Sequence, residues 1–348
     1  MPDNKICLAS DNWSKVPPAI LQSIIEANEG NAAPYGGDPW TELAQNLIQK
    51  ALGAPCKIFF IPSGTGANIL ALKIACTRYE SIICTDIAHI NFQESGAAES
   101  IIGCKLLTVP HQEGKITPCS VLKKLKNERA FGKHSTVPAV LSITQPTEIG
   151  TVYTLAELEA LSKLCQEEQL ILHIDGSRLY NAAVSLNATL SEIVAASKVD
   201  ILSLGGTKNG LMGAEALAIF NPALEKGSDH LHKQTLQLMS KMRYLAAQYI
   251  PFFTDNLWHK LAGHANKRAK EIAAIIQSIP HLALSHPVET NQIFFTAKAE
   301  WIPLIQEEIA CYIWERENEI RFIASWNTSD EDVKRVEKIL ASISGHIL

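Results

Sequence analysis

The sequence predicts an α/β fold: a mostly parallel sheet of about seven strands flanked by helices, with a smaller α+β unit toward the C-terminus. Three observations carry this expectation. Short β-branched runs that are apolar almost throughout recur up to Phe220, as in strands buried on both faces. Helical patterns separate many of these runs, and such alternation signals parallel βαβ units. Beyond Phe220 the pattern changes to long helical stretches and then a short mixed segment.

The predicted strands are KIFFIP (57–62), SIICTD (81–86), CKLLTVP (104–110), AVLSIT (139–144), LILHID (170–175), DILSLGG (200–206) and ALAIF (216–220). Helices are expected over 63–79, 91–103 and 154–169. In the last, Thr154 and Glu157 have the spacing of a capping box. A long helical stretch is expected over 223–250, where Pro251 interrupts it, and another over 256–279, ended by Pro280. A strand NQIFFTA, a helix over 302–317, a strand IRFIASW and a final helix from 329 follow. Asp330 and Glu331 suit the positive end of that helix. The expected division is a large domain over 1–250, with an N-terminal arm, and a small domain over 251–348.

The chain has 348 residues, 47% hydrophobic and 19% charged, enough for a large core. Net charge is −5 with no basic stripe, so nucleic acid is not an expected partner. No apolar run reaches membrane-spanning length and the start lacks a signal layout, so no membrane partner is expected. The eight cysteines include no C-x-x-C pair, and several lie inside apolar runs. This predicts a reducing, cytoplasmic setting and no metal.

Ligands of such sheets bind at the carboxyl ends of the strands. PSGTGAN (62–68) joins a strand to a helix through small residues. It reads as a tight turn, or as a place where backbone N–H groups and the helix dipole meet a phosphate. A dinucleotide loop is a third reading, with Gly64, Gly66 and Asp86, although Ile69 stands where its third glycine belongs. LILHIDGSRLYNAA (170–183) puts Asp175 at a strand end with Arg178 close behind. The two either close a loop as a pair, or Asp175 faces a cationic ring nitrogen. ILSLGGTKNG puts Lys208 at the end of another strand. Desolvation disfavours a charged amine there, so a neutral amine or an imine fits better. A phosphate loop, an acid and a lysine at neighbouring strand ends describe a pyridoxal 5'-phosphate site. Gly205 and Gly206 would give clearance to its flat ring. His89, soon after the second strand, is either a loop histidine or a ring laid over the cofactor.

LASDN (8–12), YGGDPW (35–40), PSGTGAN, AHINFQESGAAE, HIDGSRLYNAA, GGTKNG and IRFIASW come in an order and spacing spanning nearly the whole chain. That set resembles the threonine aldolase / β-eliminating lyase family of fold-type-I pyridoxal phosphate enzymes. The resemblance implies that Lys208 bonds the cofactor, Asp175 pairs with its ring nitrogen and His89 stacks on the ring and takes the substrate's hydroxyl proton. Ser63, Gly64, Thr65 and Thr207 would hold the phosphate. Arg178 would reach the cofactor and the substrate carboxylate, which Arg321 and Ser10 would also bind. It further implies His134 near the substrate side chain, and Tyr35 and Arg243 near the site, given by a partner subunit of a homodimer or homotetramer. The implied reaction is cleavage of L-threonine or L-allo-threonine to glycine and an aldehyde, with β-elimination as the alternative. A nicotinamide-dependent oxidoreductase is the alternative outside the resemblance. Three features depart from many members: GGTKNG for S-K-G around the lysine, Trp40 for a threonine, and the glycine placement of GTGAN. They bear on substrate choice.

Overall fold

The structure, a computed structural model, describes residues 5–314 and 318–345. A seven-stranded sheet forms its centre, in the order Lys57–Ile61, Glu215–Ile219, Ile201–Leu204, Ile171–Gly176, Val137–Thr144, Glu80–Thr85, Lys105–Val109. Only Glu215–Ile219 runs against its neighbours. The six others share one direction, so their carboxyl ends line one edge. These strands are short apolar runs because both faces are covered. Ile201–Leu204 and Glu215–Ile219 are buried at every position.

The local signals mostly act as their chemistry dictates. Thr154 and Glu157 form the reciprocal cap of helix Leu155–Glu168, with the Thr154 N–H donating to Glu157 at 2.7 Å and the Glu157 N–H returning to Thr154 at 3.2 Å. Ser63 caps helix Gly64–Ala75 by accepting the Gly66 N–H at 3.1 Å. Ser329 and Asp332 cap helix Asp330–Ser344 in the same reciprocal way.

Three helix expectations are corrected. Residues 223–250 do not form one helix but short ones, Ser228–Gln234 and Arg243–Ala246, separated by a turn in which Leu236 takes φ 65°. Pro251 does not interrupt a helix. It is the third residue of helix Tyr249–Thr254, where its missing N–H would have had no partner in its own helix. Residues 91–103 break at Ser95 and Gly96, both at positive φ, so only His89–Phe92 and the wide turn Ala98–Ile102 remain. The helix expected over 302–317 is Trp301–Glu308, after which the chain is extended at Ile309–Ala310 and Tyr312–Ile313, and Glu317 lies outside the described residues.

A second core lies around an antiparallel sheet ordered Tyr312–Ile313, Glu319–Ile323, Gln292–Thr296, Ala283–Leu284, with helix Leu257–Ser278 against it. Strand Ile6–Cys7 pairs in parallel with Ile309–Ala310, so Ile6 and Leu8 belong to this second core. The chain then leaves it, and residues 9–12 run to the carboxyl-end edge of the large sheet. Among the described residues, no helix is long and apolar enough to cross a membrane.

Candidate active site

At that carboxyl-end edge lies a cavity of about 260 Å³. Ser63, Gly64 and Thr65 line it after the first strand, His89 and Glu94 after the second, Ser177 after Ile171–Gly176, and Thr207 and Lys208 after Ile201–Leu204. Asn12, Asn68 and Glu215 complete the polar wall.

Helix Gly64–Ala75 points its N-terminus into this cavity. Its first N–H groups have no carbonyl one turn back, and the helix dipole makes that end positive. Such an end suits an anion.

Asp175 is 2% exposed and lies beneath the cavity wall. Its Oδ2 accepts from Asn68 Nδ2 at 2.7 Å, and its Oδ1 from the Ser177 N–H at 2.9 Å. Burial would raise this carboxyl. The charges of His89 and Lys208, with the Ser177 and Asn68 hydrogen bonds, instead hold it below the usual carboxylate range. It is a buried anion directly behind two residues, Asn68 and Ser177, that line the cavity.

Lys208 sits in a tight turn, Thr207–Asn209, between two close-packed chain segments. A Cβ on Gly205 would stand 2.3 Å from the Ser177 carbonyl oxygen, and one on Gly206 2.3 Å from that of Ala214. The two glycines therefore clear the protein's own backbone, rather than giving clearance to a ring. Burial first, then the Arg178 charge, pushes the Lys208 amine down, against Asp11, Asp175 and Glu215. A lowered amine is a nucleophile nearer neutral pH.

His89 donates its backbone N–H to Glu148 at 2.9 Å, and its Nδ1 meets Glu94 Oε1 at 2.8 Å. A carboxylate only accepts, so Nδ1 carries a proton and donates it to Glu94. Glu94 also accepts from Asn68 at 2.9 Å. Burial raises the Glu148 carboxyl, and Asp175 adds to this, against hydrogen bonds from Thr144 and His89.

Two arginines meet near residues 9–12. Arg178 donates from Nε to Asp11 Oδ2 at 2.6 Å and from Nη2 to Asp11 Oδ1 at 2.9 Å. Arg321 comes from the second core, reaches the Ala9 carbonyl at 3.4 Å and lies 4.2 Å from the Trp314 ring centre. It has no carboxylate partner among the described residues, and its buried Nε has no acceptor there. Burial and the like charge of Arg178 push it down to about 10. A desolvated guanidinium with an unused donor is a ready anion site.

The sequence-derived residues thus divide. Ser63, Gly64, Thr65, His89, Thr207 and Lys208 line one cavity, Asp175 lies under it, and Arg178 and Arg321 stand beside each other. Ser10 caps the turn Asp11–Trp13 by accepting the Asn12 N–H at 3.2 Å, so it shapes the wall without lining it. His134 is not brought there: it is exposed and precedes Val137–Thr144, at the opposite edge of the sheet. Tyr35 and Arg243 lie off the cavity of their own chain. Tyr35 is 52% exposed beneath Lys233, and Arg243 holds the Gly30 carbonyl at 3.0 Å with Trp40 under its guanidinium. The dinucleotide reading is excluded by strand order. Glu80–Thr85, which leads to Asp86, is separated from Lys57–Ile61 by Glu215–Ile219, Ile201–Leu204, Ile171–Gly176 and Val137–Thr144. The Gly64 turn and Asp86 therefore do not follow neighbouring parallel strands, as that reading requires.

Sequence reasoning missed Asp11, Asn68, Glu94, Glu148 and Glu215. Asn68 lies one helical turn after Gly64, so helix spacing could have suggested it, whereas Glu94 lies beyond the short helix of His89. Asp11 lies far along the chain from Arg178, and nothing local marks it as that residue's partner.

The sequence profile of the family described as beta-eliminating lyase matches residues 8–300. The low specificity L-threonine aldolase of Pseudomonas aeruginosa is 37% identical over 99% of this chain and 100% of its own. That of a Pseudomonas strain is 36% identical over 97% of each chain. The solved structure of Leishmania major threonine aldolase superposes with a TM-score of 0.92 at 32% identity, covering 97% of this chain and 99% of that one.

Proposed function

This chain belongs to the β-eliminating lyase family, and on that premise we propose that it is a pyridoxal 5'-phosphate-dependent aldolase. It cleaves β-hydroxy-α-amino acids, L-threonine and L-allo-threonine, to glycine and an aldehyde. The observation that carries this reading is one cavity that sets a low-lying amine, a buried anion and a helix N-terminus around the same space.

The residues present fit the cofactor. Asn68 Oδ1 and Glu94 Oε2 are buried at the cavity wall without a partner among the described residues, as expected where a polar ligand completes the set. Lys208 would bond it, Asp175 would pair with its ring nitrogen, and His89 would cover its face. Ser63, Gly64, Thr65 and Thr207 would hold its phosphate. When bound, the cofactor supplies an electron sink for the pair left on Cα.

Arg321 binds the substrate carboxylate through charge-assisted hydrogen bonds, and Arg178 adds a second cation, held in place by Asp11. Ser10 stabilises the turn that carries Asp11. Fixing the carboxylate fixes rotation at Cα, so the Cα–Cβ bond stands in the orientation that breaks. His89 Nε2 accepts the β-hydroxyl proton, and Glu94 steadies the cation that forms. Lys208 moves a proton at Cα as glycine leaves.

We also infer a homodimer or homotetramer in the cytoplasm. Tyr35 and Arg243 reach a cavity only if a second copy presents them, and the chain exposes Leu236 at 89% and Tyr35 at 52% on that side. All eight cysteines are free thiols, which suits a reducing compartment.

The test is the visible spectrum of the purified protein and glycine release from both threonine isomers. A yellow protein that releases glycine and acetaldehyde is expected, with Lys208→Ala colour-shifted and inactive. 2-Oxobutanoate and ammonia in place of glycine would assign β-elimination instead.

A further inference from the structure

The one strand that runs against the sheet has a chemical consequence. Glu215–Ile219 begins at the edge where its neighbours end, so its first residue stands among their carboxyl ends. That residue is acidic. Glu215 is 6% exposed and shares the cavity wall with Ser63, Gly64, Thr65, Thr207 and Lys208. Its Oε2 accepts the Gly206 N–H at 2.7 Å, two residues before the reactive lysine.

A carboxyl in this place meets two opposed demands. The Gly206 N–H and the Lys208 amine favour an anion. A phosphate group at the N-terminus of helix Gly64–Ala75 brings its own negative charge into the same small cavity and disfavours one. The titratable groups that face Glu215 are Lys208 and the buried phenols of Tyr180 and Tyr249. The phenols are held neutral by burial, so Lys208 is the cation opposing ionisation's cost, and it is itself pushed down by burial and Arg178. Burial pushes the Glu215 carboxyl up to about 7, against the Gly206 hydrogen bond and the Lys208 charge.

We propose that Glu215 makes cofactor retention proton-dependent: its acid form accommodates the phosphate-bearing cofactor, and its carboxylate form opposes it. The proposal rests on reading the cavity as a pyridoxal phosphate site. The direction follows from linkage. Binding that favours the protonated acid takes up a proton, so affinity falls as pH rises above the group's own value.

The experiment uses the full chain stripped of cofactor and titrated with 4'-deoxypyridoxine 5'-phosphate. This probe has the ring and phosphate but no aldehyde, so it cannot bond Lys208. Its dissociation constant is measured by calorimetry from pH 6 to 9 for the wild type and Glu215→Gln. The amide keeps an oxygen for the Gly206 N–H but cannot ionise. Above pH 7 the wild-type constant should rise by up to about tenfold per pH unit relative to Glu215→Gln. Parallel curves would overturn the proposal. Should the variant fail to fold, Glu215→Ala takes its place in the same titration, a steeper wild-type curve supporting the proposal and parallel curves overturning it. A wild type that binds neither this probe nor pyridoxal 5'-phosphate at any pH overturns the cofactor reading itself, and the proposal with it.

Discussion

Asp11→Asn tests whether residues 9–12 hold Arg178 in place. Asp11 is 1% exposed and bonds both Nε and Nη2 of Arg178, whose side chain is 13% exposed, and it takes a third bond from Asn291 at 3.1 Å. An amide offers one oxygen and then sets its NH₂ against donors. Removing one partner of a buried ion pair costs about 3–5 kcal/mol. At about 2 °C per kcal/mol for a chain of this size, the thermal midpoint should fall by about 6–10 °C at pH 7. Protein and cofactor concentrations are held fixed, since both move the midpoint by mass action. The pH dependence gives a second reading. Burial alone would raise the Asp11 carboxyl, but the charge and hydrogen bonds of Arg178, the Lys208 charge and Asn291 hold it below its ordinary value. A lowered carboxyl contributes stability that is fully present above about pH 3.9 and is lost as pH falls through its folded value. The gap between wild type and Asp11→Asn should therefore be constant from pH 5 to 7 and narrow in acid. A midpoint within 2 °C of wild type at pH 7, by differential scanning calorimetry, refutes the pairing as a structural anchor.

Glu94→Gln removes the charge that steadies His89 while keeping its size. A hydrogen bond to a charged group contributes about 1.5–3 kcal/mol, so kcat should fall about 10- to 150-fold with KM little changed. Steady-state kinetics showing kcat within twofold of wild type would remove His89 as the proton carrier. Arg321→Ala should lower kcat/KM for threonine by at least about 30-fold, through KM and kcat together, because the carboxylate loses a desolvated cation. Equal kinetics would mean that Arg178 alone binds the carboxylate. Gly205→Ala forces a methyl group to 2.3 Å from the Ser177 carbonyl oxygen, a backbone atom that cannot swing away. A loss of about 1–3 kcal/mol is expected from urea unfolding. An unchanged midpoint would show that these strand ends separate freely.

Helix spacing and capping chemistry are local, and where they are strong the sequence alone determines the element. Thr154 with Glu157 needs only its own turn. A short apolar run such as ILSL needs only burial on both faces to become a central strand. Segments 223–250 and 302–314 depart from one helix because their apolar residues follow tertiary contacts rather than one helical face. Tyr249 packs against Phe60, for example, and Trp314 against Phe294.

The site divides the same way. Lys208, Asp175, His89 and the 63–65 turn are legible because each lies at or just beyond the carboxyl end of its own strand, and parallel strands deliver such residues to a common edge. Tertiary structure alone decided the rest. It joined Asp11 to Arg178 across 167 positions of sequence, and it carried His134 to the far edge of the sheet. It also turned one strand around, so that Glu215, a strand's first residue, stands among the others' last. The physical reason is that strand order and direction depend on which faces pack together, and no local run of residues encodes them.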